Sequence, residues 1–195
     1  MTVGVETETL VGKSSYQCLQ NNGYTEVIVR AYQSTVRVDP NFASSTRNAR
    51  DAGLAVDALI TVTGHTPATA AADVAQYIKD NQLSVGTTWL FPEAPDRYWG
   101  TDKSANRTVL TNLVAACKAA GLSVGIYASA DRWERNFGAD FADHSALPLL
   151  YAPFDGQRDF NGFTAFGGWT SPARKAYNGE TNMCNAKVMS FTWRP

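Results

Sequence analysis

No apolar run in these 195 residues approaches the ~20 that a membrane-crossing helix needs, so no membrane partner is expected. Histidine is scarce: His65 and His144 lie far apart, with no cysteine or carboxylate at ligand spacing near either, and no metal site is expected. A Gly-rich phosphate loop and a nucleophile elbow are also missing, which argues against a nucleotide cofactor; the expected cofactor list is empty. Charge of one sign is lacking too. Seventeen basic residues against eighteen acidic ones leave a net charge of −1, and neither nucleic acid nor an anionic membrane is an evident partner. A neutral, glycan-like or small organic ligand fits this composition better, and the chain is read as a monomer.

Cysteine occurs three times. Cys117 stands among alanines in a helical run and reads as a small buried hydrophobe, which leaves Cys18 with Cys184 as the candidate bridge. Such a bond would close a loop of more than 160 residues and imply an oxidising compartment. The first residues, Met1-Thr2-Val3-Gly4-Val5-Glu6, read as a strand and not as a charged region followed by an apolar one. Either the protein stays inside the cell or Met1 opens a mature chain whose export signal has been removed; the disulfide favours secretion or another oxidising compartment.

What is present is a regular alternation. Strand-like runs at Val3–Glu6, Glu26–Tyr32, Val56–Val62, Thr87–Phe91 and Val124–Tyr127 are each followed by a helix candidate: Ser14–Asn21, Ala43–Ala52, Thr66–Asp80, Ser104–Ala120 and Ala130–Phe137. Repeated β-α units imply parallel strands. The last third offers strand-like Leu149–Ala152, Arg174–Tyr177 and Lys187–Phe191 joined by Gly- and Pro-rich loops, of which 154–170 is the longest. Five β-α units and three further strands make eight, enough to close a small barrel, so residues 1–195 are expected to form a single-domain, modified TIM-like (β/α)5β3 barrel of the α/β class.

In such barrels the site lies at the C-terminal strand ends. The segment Gly86-Thr87-Thr88-Trp89-Leu90-Phe91-Pro92-Glu93 reads as a buried strand that delivers the Glu93 carboxylate into an apolar setting, which would raise its pKa. The other strand ends supply Glu6, Tyr32, Tyr127, Tyr151 and Tyr177, with Trp99 in a nearby loop. Aromatic faces with hydroxyl edges suit pyranose rings. Asp155, before Gly156, reads as a turn residue, with substrate contact as the sharper alternative. Asn106 begins a glycosylation sequon inside a predicted helix.

One ordered series of fragments spans nearly the whole chain: Gly4-Val5-Glu6, Ser15-Tyr16-Gln17-Cys18-Leu19, Asn22-Gly23-Tyr24, Ile28-Val29-Arg30-Ala31-Tyr32, Asp39-Pro40-Asn41, Trp89-Leu90 with Glu93, Val124-Gly125-Ile126-Tyr127, Pro148-Leu149-Leu150-Tyr151-Ala152 and Phe166-Gly167-Gly168-Trp169. It resembles the eukaryotic branch of the family-25 glycoside hydrolases, muramidase-type lysozymes that cleave the β-1,4 bond of peptidoglycan. The resemblance implies a first-strand aspartate, an aspartate and a glutamate two apart at the end of the fourth strand, and an aspartate on the last strand. Glu93 matches the glutamate, the family's proton donor, and Glu6 stands in place of the first-strand aspartate. Phe91 replaces the fourth-strand aspartate, and Met189 or Ser190 falls where the last one belongs.

Glycoside cleavage needs a second group opposite the acid, and phenylalanine and methionine provide none. The expectation is therefore a lysozyme-like barrel with muramidase activity weakened or lost, catalytic candidates Glu93 and Glu6, and a cleft walled by Tyr32, Phe91, Trp99, Tyr127, Tyr151, Asp155, Tyr177 and Met189. This cleft would bind a peptidoglycan-like glycan or a small apolar ligand. Two alternatives stand beside it: an active muramidase using Glu93, Glu6 and substrate assistance, or a repurposed enzyme transferring a proton from Glu93 to a small hydrophobic substrate. Asp96, Asp102 and Asp131 lie in loops near the expected mouth and are candidate replacements for the absent carboxylates.

Overall fold

A computed structural model describes residues 1–92 and 98–193. Among these residues the elements run β1 (Thr2–Thr7), α1 (Lys13–Asn21), β2 (Glu26–Gln33), β3 (Arg37–Val38), α2 (Phe42–Asp51), β4 (Ala55–Thr61), α3 (Thr69–Asp80), β5 (Thr87–Phe91), α4 (Lys103–Ala119), β6 (Ser123–Ala128), α5 (Ala130–Phe137), β7 (Leu149–Tyr151), β8 (Arg174–Met183) and β9 (Ala186–Trp193). The expected β-α units are β1-α1, β2-α2, β4-α3, β5-α4 and β6-α5. Two features escape a sequence reading. The strand β3 is only two residues long and pairs with β2 alone. The strand β8 continues past Tyr177 to Met183, because its polar outer half is exposed and pairs only with β9, and so shows no apolar alternation.

Six parallel pairings run from β1 through β2, β4, β5, β6 and β7 to β8. The strand β9 inserts antiparallel between β8 and β1 and closes a ring of eight, with β3 outside it. This is the expected (β/α)5β3 barrel. Alternation along each strand divides the apolar residues into an outer core beneath the helices and a smaller inner core built on Ile28, Leu59, Trp89, Leu150 and Phe191. The Trp89 indole fills the barrel centre only because Gly125 faces it; a Cβ there would stand 2.5 Å from the ring.

The barrel floor, at the N-terminal strand ends, is polar. Arg174 pairs with Glu26 and lies 3.0 Å from Asp57 Oδ2, with its guanidinium 5.0, 5.5 and 5.1 Å from the ring centres of Trp89, Phe191 and Trp193. Asp57 also accepts from Trp89 Nε1 and from the Thr87 amide, each at 2.8 Å. Burial, and then the Asp57 charge, push the pKa of Glu26 up to about 7 against the pull of Arg174.

Cys18 on α1 is bonded to Cys184, 166 residues on, in the two-residue turn that joins β8 to β9. Closing a loop of that length contributes up to about 5 kcal/mol in the chain-entropy account. The bond fits an oxidising compartment. Cys117 is buried and unbonded, and burial pushes its thiol up to about 12, as expected of a cysteine used as a hydrophobe. His144 is also buried, edge-on to Phe141 and 3.2 Å from Thr111 Oγ1; desolvation holds its pKa below the usual imidazole value. The sequon residue Asn106 is buried as well. Its amide donates to the Gly100 and Asn136 carbonyls, each at 2.9 Å, so it ties α4 to α5 and turns no face to a glycan.

A candidate binding site at the barrel mouth

Strand polarity determines which side chains meet at the mouth. Inward positions at the C-terminal ends of β1, β2, β5 and β6 bring Glu6, Arg30, Phe91 and Tyr127 together, and antiparallel β9 contributes Met189 from its beginning, in register with Glu6. The Phe91 and Tyr127 rings pack at 4.5 Å between centres, tilted by 34°. Tyr127 donates its hydroxyl to Glu6 Oε2 at 3.2 Å. Glu6 is only 1% exposed, and its Oε1 has no hydrogen-bond partner among the described residues. Burial, and then the nearby Glu8 carboxylate, push the Glu6 pKa up to about 8; the Tyr127 hydroxyl and Arg30 oppose this.

The mouth opens into a cavity of about 230 Å³ whose lining includes Glu6, Glu8, Arg30, Glu180, Lys187 and Met189. Its charged rim is paired internally. Arg30 donates to Asp39 Oδ2 at 2.8 Å, to Glu8 Oε2 at 2.5 Å and to the Glu8 carbonyl at 2.7 Å, which pins the segment after β1. Lys187 lies 2.9 Å from Glu180 across the β8–β9 hairpin. Arg30, Glu8, Glu180 and Lys187 are the mouth residues that sequence reasoning missed. Of these, Arg30 left a signal, a charge in an otherwise apolar strand; the others fall in polar runs that resemble any solvated loop.

Five expected wall residues lie elsewhere. A bulge between Arg30 and Tyr32 shifts the β2–β4 register, so Tyr32 pairs with Ile60 and joins the outer core. Tyr151 and Tyr177 follow the inward-facing Leu150 and Ala176 by one residue and therefore point outward. Tyr151 packs edge-on against Phe163, and Tyr177 is buried beneath Arg158. Trp99 packs edge-on against Phe137 of α5 in the outer core. Asp155 is the turn residue, accepting from the Gln157 amide at 3.0 Å, and it pairs with the buried Lys175 at 2.8 Å. Of the carboxylates considered as replacements, Asp102 caps α4 through the Ser104 and Ala105 amides, and Asp131 pairs with Arg135. Glu93 and Asp96 lie outside the described residues.

Among the described residues no group of three His, Cys, Asp or Glu side chains is placed to hold a metal ion. A larger cavity, about 430 Å³, is lined by Phe160, Phe163 and residues 170–173, which lead into β8.

Comparison with known proteins agrees with this architecture. The family model described as Lysozyme-like protein 1 matches residues 1–177. The chain is 36% identical over 195 residues to the probable GH family 25 lysozyme 2 of Dictyostelium discoideum, covering 98% of this chain and 90% of that protein. It is 32% identical over 174 residues to lysozyme-like protein 5 of Caenorhabditis elegans, covering 87% and 80%. The solved structure of a family GH25 lysozyme from Aspergillus fumigatus superposes with a TM-score of 0.73 over 99% of this chain and 94% of that one, at 20% identity, and shares the fold. With the eight-stranded mixed barrel closed by β9 and a family model matching most of its length, the chain belongs to the lysozyme-like proteins of glycoside hydrolase family 25.

Proposed function

We propose that this single-domain barrel is a secreted, monomeric lysozyme-like protein that binds a peptidoglycan-like glycan at its mouth and whose muramidase chemistry is weakened or lost. The observation that carries this reading is the company Glu6 keeps. It lies buried beside Met189 and the Tyr127 hydroxyl, with the Phe91 ring packed on Tyr127, and its pKa is pushed up to about 8, which favours the neutral acid at neutral pH. A neutral carboxyl supplies neither a nucleophile nor a charge to stabilise an oxocarbenium-like transition state, and phenylalanine and methionine at the neighbouring strand ends supply none either. Loss of such a group commonly lowers the rate by ~100- to 1000-fold. The rings of Phe91 and Tyr127 remain suited to the apolar face of a sugar.

The test is reducing-end release from purified peptidoglycan by the wild type, Phe91→Asp and Glu93→Gln between about pH 4 and 8, together with co-sedimentation on the same polymer. Binding by the wild type, with little release and a gain in Phe91→Asp, is the expected result. Rapid wild-type release that Glu93→Gln abolishes would instead establish an active muramidase. Absence of both binding and release would send the search to small apolar ligands.

A further inference from the structure

Away from the mouth, one cavity gathers two arginines and a buried hydroxyl without a partner. It measures about 270 Å³ and lies between α2 and the turn that leads from α3 into β5, with Thr46, Arg47, Arg50 and Asp51 on one side and residues 82–84 on the other. Arg47 and Arg50 are three apart on α2 and are therefore neighbours on one helix face. Arg47 is already aimed: its Nη2 donates to the Asn81 carbonyl at 2.9 Å and to Asn81 Oδ1 at 3.2 Å, which leaves Nε and Nη1 uncommitted among the described residues. The Arg50 guanidinium has neither an ion pair nor a hydrogen bond among the described residues. Thr46 is 1% exposed, and its Oγ1 has no hydrogen-bond partner among them either. A helical threonine can give its hydroxyl to the carbonyl one turn back, and Thr46 does not. A buried polar atom left in this state calls for a partner from outside the chain, commonly ordered water or an ion. Asp51, the carboxylate in this lining, lies 3.9 Å from Lys13 Nζ, so Lys13 offsets it and two guanidinium charges remain. The C-terminal dipole of α2 favours Arg50 where it stands and opposes an anion, so an anion here is held by the guanidiniums and not by helix amides.

We propose that this cavity is a binding site for a single tetrahedral oxyanion, a phosphate or sulfate group, held between the guanidiniums of Arg47 and Arg50 with the Thr46 hydroxyl donating to a third oxygen. Guanidinium forks match such groups through paired, charge-assisted hydrogen bonds. A tetrahedral group can meet two guanidiniums and a hydroxyl at separate oxygens, which a carboxylate with two oxygens cannot. The same chemistry would hold free inorganic phosphate or a phosphate or sulfate ester carried on a sugar. The site shares no residue with the mouth, because α2 and residues 82–84 lead into the N-terminal ends of β4 and β5. It therefore stands or falls independently of glycan binding there.

The test is titration calorimetry of the wild type, Arg50→Ala, Thr46→Val and Arg37→Ala with inorganic phosphate, glucose 6-phosphate and glucose 6-sulfate at low ionic strength, where exposed charges are least screened. Arg37 is exposed on β3 and outside the cavity, so its variant controls for diffuse attraction. The wild type should bind at least one of these probes, and Arg50→Ala should bind it roughly tenfold or more weakly, the amount expected for loss of a hydrogen bond to a charged group. Thr46→Val should weaken binding roughly threefold to tenfold while leaving the melting temperature unchanged or raised, since a buried hydroxyl without a partner does not help the fold. Arg37→Ala should bind like the wild type. Whichever of the free ion and the sugar esters binds more tightly identifies the source that the site serves. Amide chemical shifts of the wild type give a reading that needs no variant: on adding the tightest probe they should move in α2 and at residues 82–84 and not at the mouth. Binding of none of the three probes, equal losses in Arg37→Ala and Arg50→Ala, or shifts confined to the mouth would each overturn the site.

Discussion

The floor and the mouth of this barrel each bury carboxyl groups among aromatic rings, yet they treat them differently. At the floor, Glu26 and Asp57 share Arg174, Asp57 takes two further N–H donors, and three rings flank the guanidinium. At the mouth, Glu6 has one tyrosine hydroxyl and an oxygen without a hydrogen-bond partner among the described residues. Buried polar groups stabilise a fold only when their partners are complete. The floor therefore behaves as structure, whereas the mouth leaves a buried carboxyl oxygen without a partner among the described residues.

Removing the floor cation would break this comparison at its stronger end. Arg174→Met leaves Glu26 and Asp57 buried and facing each other, and breaking a buried pair in this way costs ~3–5 kcal/mol. Urea denaturation should show that loss, and an unchanged midpoint would mean that the floor is solvated or already protonated in the folded state. A somewhat smaller effect is expected from the staple on the mouth side. The Cys18–Cys184 bond fastens the β8–β9 hairpin, which carries Lys187 and leads into Met189, to α1. Cys184→Ser should lower stability by ~2–5 kcal/mol and weaken ligand binding at the mouth, while the near-ultraviolet signal of the floor residues Trp89 and Trp193 persists under native conditions. Loss of the floor signal without denaturant would show the two ends to be one cooperative unit.

The smallest expected effect per step is also the one that separates the ends by pH. Both Glu6 and Glu26 titrate higher in the fold than in the unfolded chain, about 8 and about 7 against 4.5. Between 4.5 and these values the folded state holds protons that the unfolded state has released, so stability is greatest in acid and falls as pH rises. For Glu6 the loss is up to ~1.4 kcal/mol per pH unit, complete once pH passes about 8. Thermal melts from pH 5 to 9 should show this decline, with Glu6→Gln making it shallower below pH 7 and removing it between about pH 7 and 8. A flat profile would mean that water reaches Glu6 in the folded state.

Much of the framework was legible before any coordinates. Apolar runs of strand length, each followed by an amphipathic run of helix length, identified five β-α units, and the cysteine pairing followed from the helical setting of Cys117. The candidate site was only partly legible. Glu6, Phe91, Tyr127 and Met189 converge at the mouth, but Tyr32, Tyr151 and Tyr177 point away from them. A position at a strand end does not say which face a side chain occupies. One residue of offset, or one bulge such as that between Arg30 and Tyr32, exchanges inside for outside. Trp99 shows the same limit in a loop, where no period constrains direction and the nearest apolar surface, Phe137, captures the ring.

The sequence by itself determined the kind of barrel and its family, since local periodicity and residue identity are properties of the chain alone. The tertiary structure decided which of two adjacent residues faces the lumen, that Arg174 is shared by Glu26 and Asp57, and that Glu6 is sealed with one oxygen unpaired among the described residues. Those facts depend on strand register and on distances between residues far apart in the chain, such as Arg174 and Glu26, 148 residues apart, which only closure of the ring brings together.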